Sequence, residues 1–112
     1  MIPPEGRTVD GFETQYRVNL LAHFLLAQLL KNTLITSTTP ELPSLIVMVS
    51  SSGHRASKVL FDDYNFTNNG YEPLAAYGQS KKAMIWPANE LDRRYGALCS
   101  HAHSLHLGNS AS

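Results

Sequence analysis

The sequence predicts an α/β fold, a portion of a doubly wound parallel sheet with elements in the order helix, strand, helix, strand. Three observations predict it. Two long segments carry apolar residues at helical intervals, and a short apolar run separates them. The resulting α, β, α, β order calls for parallel strands joined by a helical crossover. The first strand, "LIVMV", is apolar at every position, as in a strand covered on both faces and flanked on both sides. Two strands and two helices cannot supply that cover, so a partial sheet missing its other strands is expected.

The first helix is expected from about Asp10 to Lys31. It opens on "DGFE", where Asp10 has capping-box spacing to Glu13. Phe12, Tyr16, Leu20 and Phe24 recur at helical intervals, and beyond Leu20 the helix is apolar nearly all round, so neighbours must cover it. The stretch "NTLITSTTPELPS" reads as a loop. "LIVMV" (Leu45 to Val49) follows as a strand and ends in the turn-like "SSSGH". "RASKVLFDDYNFTNNGYEP" reads as irregular, with turn chemistry at "NNG". The second helix is expected from Leu74 to Tyr95, kinked at Pro87 and ended by Gly96. "CSHAHSLHL" alternates as a second strand before Gly108.

Composition narrows the function classes. The 112 residues are 43% hydrophobic and 16% charged, enough apolar content for one small core. Nine basic residues balance nine acidic ones, so charge gives no case for nucleic acid or an anionic membrane surface. A single cysteine, Cys99, cannot form an internal disulfide and suits a reducing compartment. The start "MIPPEGRTVDG" is polar, unlike a secretory signal. The most apolar stretch, "LLAHFLLAQLL", is short of the roughly 20 residues that span a bilayer. Cytoplasmic location and no membrane span are the expectations.

Chemistry concentrates in "AYGQSKKAM". On a helix Tyr77 and Lys81 stack one turn apart. A free phenol titrates near pH ~10, and an adjacent ammonium favours the phenolate, bringing proton transfer closer to neutral pH. A serine after the buried strand could orient a carbonyl oxygen beside that pair. Taken alone, Y-x-x-x-K also describes an ordinary surface pair, Ser51 a turn-forming hydroxyl, and Asn19 a polar break in an apolar helix.

The motifs "VNLLAHF", "VSSSGH" and "AYGQSK", in that order, resemble the short-chain dehydrogenase/reductase family, particularly its retinol-dehydrogenase-like members. The resemblance extends from "TVDGFETQYRVNLLAHFLL" to "SLHLGN" and implies a partial Rossmann-type sheet lacking its N-terminal strands, with residues 1–112 as the C-terminal catalytic portion of the domain. It implies roles by position. Tyr77 matches the catalytic acid/base. Lys81 matches the lysine that favours the phenolate and bonds the nicotinamide ribose. Ser51 matches the substrate-orienting serine, with Ser50 and Ser52 one residue out of register. Asn19 matches the asparagine that helps hold a relay water. Tyr77, Lys81 and Gly108 are the expected cofactor contacts, and the cofactor is NAD or NADP, with NADP favoured. A small lipophilic alcohol or ketone is the implied substrate. Subunit pairing through the Tyr77 helix is the implied assembly.

The departures matter too. The chain contains no glycine-rich turn between a strand and helix to cradle a pyrophosphate, and no residue to choose NAD or NADP. Leu107-Gly108 stands where the family has Pro-Gly. An oxidoreductase is therefore the first expectation, and a catalytically inactive fragment or interaction module of the same family is the alternative. No metal is expected. His101 and His103 would share one strand face with His106 on the other, so the three do not converge. His54 reads as a loop residue, Cys99 and Trp86 as packing or surface residues, and Asp92 to Arg94 as a solvated helix face.

Overall fold

Residues 3–108 are described by a computed structural model. Helix α1 runs over Thr14–Ser37 and contains a π-helical turn at Arg17–Leu21. Strand β1 is Ser44–Val49, helices α2 and α3 are Pro73–Ala83 and Ile85–Tyr95, and strand β2 is Ser100–Leu105. β1 and β2 pair in parallel, in register from Ser44 opposite Ser100 to Val49 opposite Leu105. This is the expected α/β order with a helical crossover between the strands.

The start of α1 differs from expectation. Gly11, at φ +81°, turns the chain back so that its N–H reaches Thr8 O, and the helix begins three residues later. Glu13, not Asp10, is the cap. Its buried carboxylate accepts from the N–H groups of Gln15 (2.8 Å) and Tyr16 (2.7 Å). Asp10 stays exposed and only approaches Arg17, at 3.9 Å. The helix also outruns Lys31, because Thr36 satisfies its hydroxyl within the helix, on Asn32 O at 2.9 Å. At 24 residues, with mean hydropathy 1.3 over an 18-residue window, α1 as a whole is long and apolar enough to cross a membrane by length and composition. The eleven-residue count from sequence had not shown this. In this fold Leu20 and Ala27 of α1 join Met48, Ala83, Met84, Ala88, Leu91 and Ala102 in the core.

The expected second helix is two. Pro87 has no N–H to give Ala83 O, and the helix parts at Met84 between α2 and α3. Gly96 follows α3 with ordinary right-handed angles (φ −56°), and the left-handed residue is Cys99 (φ +57°), after a short 3₁₀ turn. The expectation that β1 is covered on both faces is also revised for the described residues. Ile46 and Met48 face the helices, whereas Leu45, Val47 and Val49 are exposed, because all the packed helices lie on one side.

The irregular segment before α2 is held by side chains in place of secondary structure. Buried Gln79 accepts from Leu60 N–H (2.8 Å) and donates to Tyr64 O (2.9 Å). Asp63 gathers the N–H groups of Thr67, Asn68 and Asn69 and the Asn69 amide. Burial opposes the Asp63 charge, but these hydrogen bonds together outweigh it and hold the carboxyl below its ordinary range. The contribution of this loop is therefore complete above the free aspartate value of about 3.9 and is lost as pH falls through the lower folded value. Hydrogen exchange should show the Thr67 and Asn69 amides protected at pH 5 and losing protection selectively on acidification. Equal protection in Asp63→Ala would contradict this role.

Candidate active site

Three backbone carbonyls fix the end of β1, two of them tying it to α2 and the third to β2. Ser50 donates its hydroxyl to Lys81 O (2.7 Å), and its N–H reaches Leu105 O (2.8 Å). Lys81 in return donates its ammonium to Val49 O at 3.0 Å. The same ammonium lies 5.8 Å from the centroid of the Tyr77 ring, so the two side chains stand together on one helix face.

Beyond Ser50, Ser51 is extended and its Oγ accepts from Gly53 N–H (3.1 Å), capping a short 3₁₀ turn over Ser52–Arg55. The His54 ring bonds the Ser51 carbonyl and stiffens the same turn. Two glycines bring this turn against α2. A Cβ on Gly53 would stand 2.9 Å from Tyr77 Cε1 and 3.4 Å from Ser51 Oγ. A Cβ on Gly78 would stand 2.7 Å from Gly53 O. Glycine inside a helix costs about 1 kcal/mol relative to alanine, and here it permits direct backbone contact.

The result is an open pocket of about 530 Å³ lined by Ser51, Tyr77, Lys81 and, from beyond β2, His106 to Gly108. Gly108 has φ +85°, a left-handed geometry that favours glycine, and among the described residues no atom stands within 4 Å of where a Cβ would project. Four of the five residues singled out from sequence thus meet at one pocket. The fifth does not line it. Asn19 sits in the π-helical turn of α1 and donates from Nδ2 to Ser80 Oγ (2.9 Å), while Ser80 donates to Tyr77 O (2.8 Å). Asn19 therefore stands behind Tyr77 and braces its backbone through a buried serine. A π-helical turn at such a position is a frequent mark of functional sites.

Ser50, Gly53, Gly78 and Ser80 were not singled out as positioning residues from sequence. Each acts through a contact with a segment some 25 to 60 residues away, which periodicity does not display. The donor set suits sugar hydroxyls and a carbonyl oxygen: an ammonium, a phenol and a hydroxyl around a polar cleft. It fits the nicotinamide-ribose end of a dinucleotide, and offers no cradle for the pyrophosphate. His101, weighed from sequence as a metal ligand, bonds Asp92 at 3.0 Å, and Ala102 N–H together with His101 holds the Asp92 carboxyl below its usual range.

No protein-family model matches the chain. Curated relatives do. It is 50% identical over 111 residues to "Short-chain dehydrogenase/reductase prx1" of Penicillium roqueforti, covering 99% of this chain and 32% of the relative. It is 51% identical over 105 residues to "Oxidoreductase calI" of Penicillium decumbens, covering 94% and 30%. This chain belongs to the short-chain dehydrogenase/reductase family. "Retinol dehydrogenase 13" of Homo sapiens is 42% identical over 105 residues, again covering 94% of the chain and 30% of the relative. A crystal structure of an uncharacterized protein from Mycobacterium Paratuberculosis superposes with a TM-score of 0.81 at 38% identity, over all of this chain and 40% of that one. The chain thus spans about a third of the length of the curated dehydrogenases it matches.

The glycine contact yields a prediction. Gly78→Ala gains about 1 kcal/mol of helix propensity, but its Cβ meets backbone, an overpacking cost of about 1–3 kcal/mol. Denaturant unfolding should show a net loss of stability and amide exchange a loosened 52–56 turn. A more stable variant with an unaltered turn would contradict the close approach.

Proposed function

We propose that this chain supplies the proton-transfer and substrate-orienting residues of an oxidoreductase that interconverts an alcohol and a carbonyl with NAD(P). The observation that carries the reading is that Ser51, Tyr77 and Lys81 open on one pocket. In the reducing direction the substrate oxygen accepts hydrogen bonds from the Ser51 hydroxyl and the Tyr77 phenol. Tyr77 passes its proton to that oxygen as negative charge develops there, and takes it back in the oxidising direction. The Lys81 ammonium, 5.8 Å from the centroid of the Tyr77 ring, faces the negative charge left behind. An ammonium has three protons, so with one held by Val49 O, two remain for the phenol side and for ribose hydroxyls. NAD or NADP, with NADP favoured, supplies or accepts the hydride when bound. Gly108 gives the cofactor close access to the pocket floor. Asn19 keeps the Tyr77 turn in place through Ser80, beside its family role of holding a relay water.

Small lipophilic alcohols and ketones are the substrate class we assign, in keeping with the name of the retinol dehydrogenase relative. Self-association through the Tyr77 helix belongs to the same proposal. The helix continues into α3, where half-exposed Trp86 stacks on Phe61 at 5.4 Å beside an apolar groove of about 450 Å³. A second reading, a catalytically silent interaction module, is favoured by the exposed Leu45, Val47 and Val49.

Tyr77→Phe separates the two readings. In a protein joining this chain to the dinucleotide-binding half of a relative, the variant should lose about 10²–10⁴-fold in turnover. Its NADPH affinity, read by nicotinamide fluorescence, should fall far less than turnover does. Parental turnover in Tyr77→Phe would refute the assignment.

A further inference from the structure

Of the three histidines in "HAHSLH", two are accounted for by the fold. His101 bonds Asp92 at 3.0 Å, and His103 stands exposed on β2 opposite Val47. The third has no such place. β1 and β2 run in register to Val49 opposite Leu105, and the bond from Ser50 N–H to Leu105 O carries the pairing one step further. His106 therefore leaves the sheet beside Ser50, exposed, and lines the pocket on which Ser51, Tyr77 and Lys81 open. The proton transfer assigned to Tyr77 gives it no task.

The charges around His106 decide what it can do. From α2 the pocket receives the Lys81 ammonium and the Tyr77 phenol, and from the end of β1 only serine hydroxyls and Val49. No carboxylate lines it. His54, in the turn after β1, keeps its ring on the Ser51 carbonyl and is not among the lining residues. Imidazole ordinarily titrates near pH ~6.5 and is the side chain that gains its charge around neutrality. A protonated imidazole here sets a second positive charge into a pocket that already holds one, with nothing acidic to offset either. Such a wall distinguishes the two states of a nicotinamide ring, which is positive when oxidised and neutral when reduced. The phosphates are the same in both, so a cation attracts them alike and repels the oxidised ring alone.

We propose that His106 is a specificity-determining residue which, when protonated, favours the reduced nicotinamide nucleotide over the oxidised one. The identity of the ligand rests on the oxidoreductase reading, while the discrimination is a matter of binding and needs no turnover. Lys81 supplies a constant bias of the same sign, and His106 makes that bias grow as pH falls. By linkage, the preference is fully present below the imidazole range and is lost as pH rises through it. Acid conditions then load the site for the direction that takes up a proton, in which carbonyl, NADPH and H⁺ give alcohol and NADP⁺.

The test uses this chain joined to the dinucleotide-binding half of a relative. NADPH affinity is read by nicotinamide fluorescence and NADP⁺ affinity by displacement of NADPH, between about pH 6 and 8.5. The ratio of the NADP⁺ to the NADPH dissociation constant should rise at least about threefold on acidification. His106→Gln should flatten that profile, and His106→Lys, a fixed cation, should hold the raised ratio throughout. His54→Gln should keep the parental profile, and so should Tyr77→Phe despite its lost turnover. A flat ratio in the parent would overturn the proposal, as would a parental profile surviving in His106→Gln. A profile lost with His54→Gln would assign the effect to His54 and overturn it too. Parental turnover alongside a flat ratio would sink the His106 role alone. A ratio that depends on His106 in a protein without turnover would leave the discrimination standing and count against Tyr77. Failure to bind either nucleotide would overturn both readings.

Discussion

The site depends on one close approach, that of the turn after β1 to the face of α2 beside Tyr77. Glycine at 53 and 78 is what allows it, since a Cβ at either place would collide with the Tyr77 ring or the Gly53 carbonyl. Hydrogen bonds then fix the depth of contact, with Ser50 and Lys81 each satisfying a carbonyl of the other's segment. The rim of the pocket follows from this packing. Ser51 leaves the strand extended, and Tyr77 and Lys81 meet it from the helix.

A buried polar layer behind the pocket carries the rest of the positional accuracy. Ser80 and Gln79, both fully buried, are neighbours on α2 and reach in different directions. Ser80 ties α2 to the π-helical turn of α1 through Asn19, and Gln79 ties it to the irregular segment through Leu60 and Tyr64. Buried polar groups that are fully paired rigidify the elements they join. The outer face of the sheet shows the opposite condition, with branched apolar side chains in solvent and no polar pairing. The chain is thus well determined around its chemistry and open where its sheet stops.

Much of this was legible in the sequence. "LIVMV" read as a strand by its continuous β-branched run, and the four-residue spacing of Tyr77 and Lys81 put both on one face once that segment is helical. Helix ends were less legible. Asp10 and Glu13 both suit a cap, and only the left-handed turn at Gly11 selects Glu13. Gly96 looked like a terminator by residue type, whereas Cys99 takes the left-handed position. The expectation of two-sided burial for β1 described the fold it suits, and the packing of this segment covers one side. The supporting residues were invisible for a different reason. Ser50, Ser80, Gly53 and Gly78 have no signature of their own, and their roles come from partners distant along the chain.

The approach of the turn to Tyr77 is directly measurable by nuclear Overhauser contacts in the folded chain. Strong cross-peaks between the Gly53 α-protons and the Tyr77 ring protons, with the α-protons shifted by the ring current, are the predicted result. A folded chain in which Gly53 shows no contact with that ring would contradict the arrangement from which the chemistry is argued.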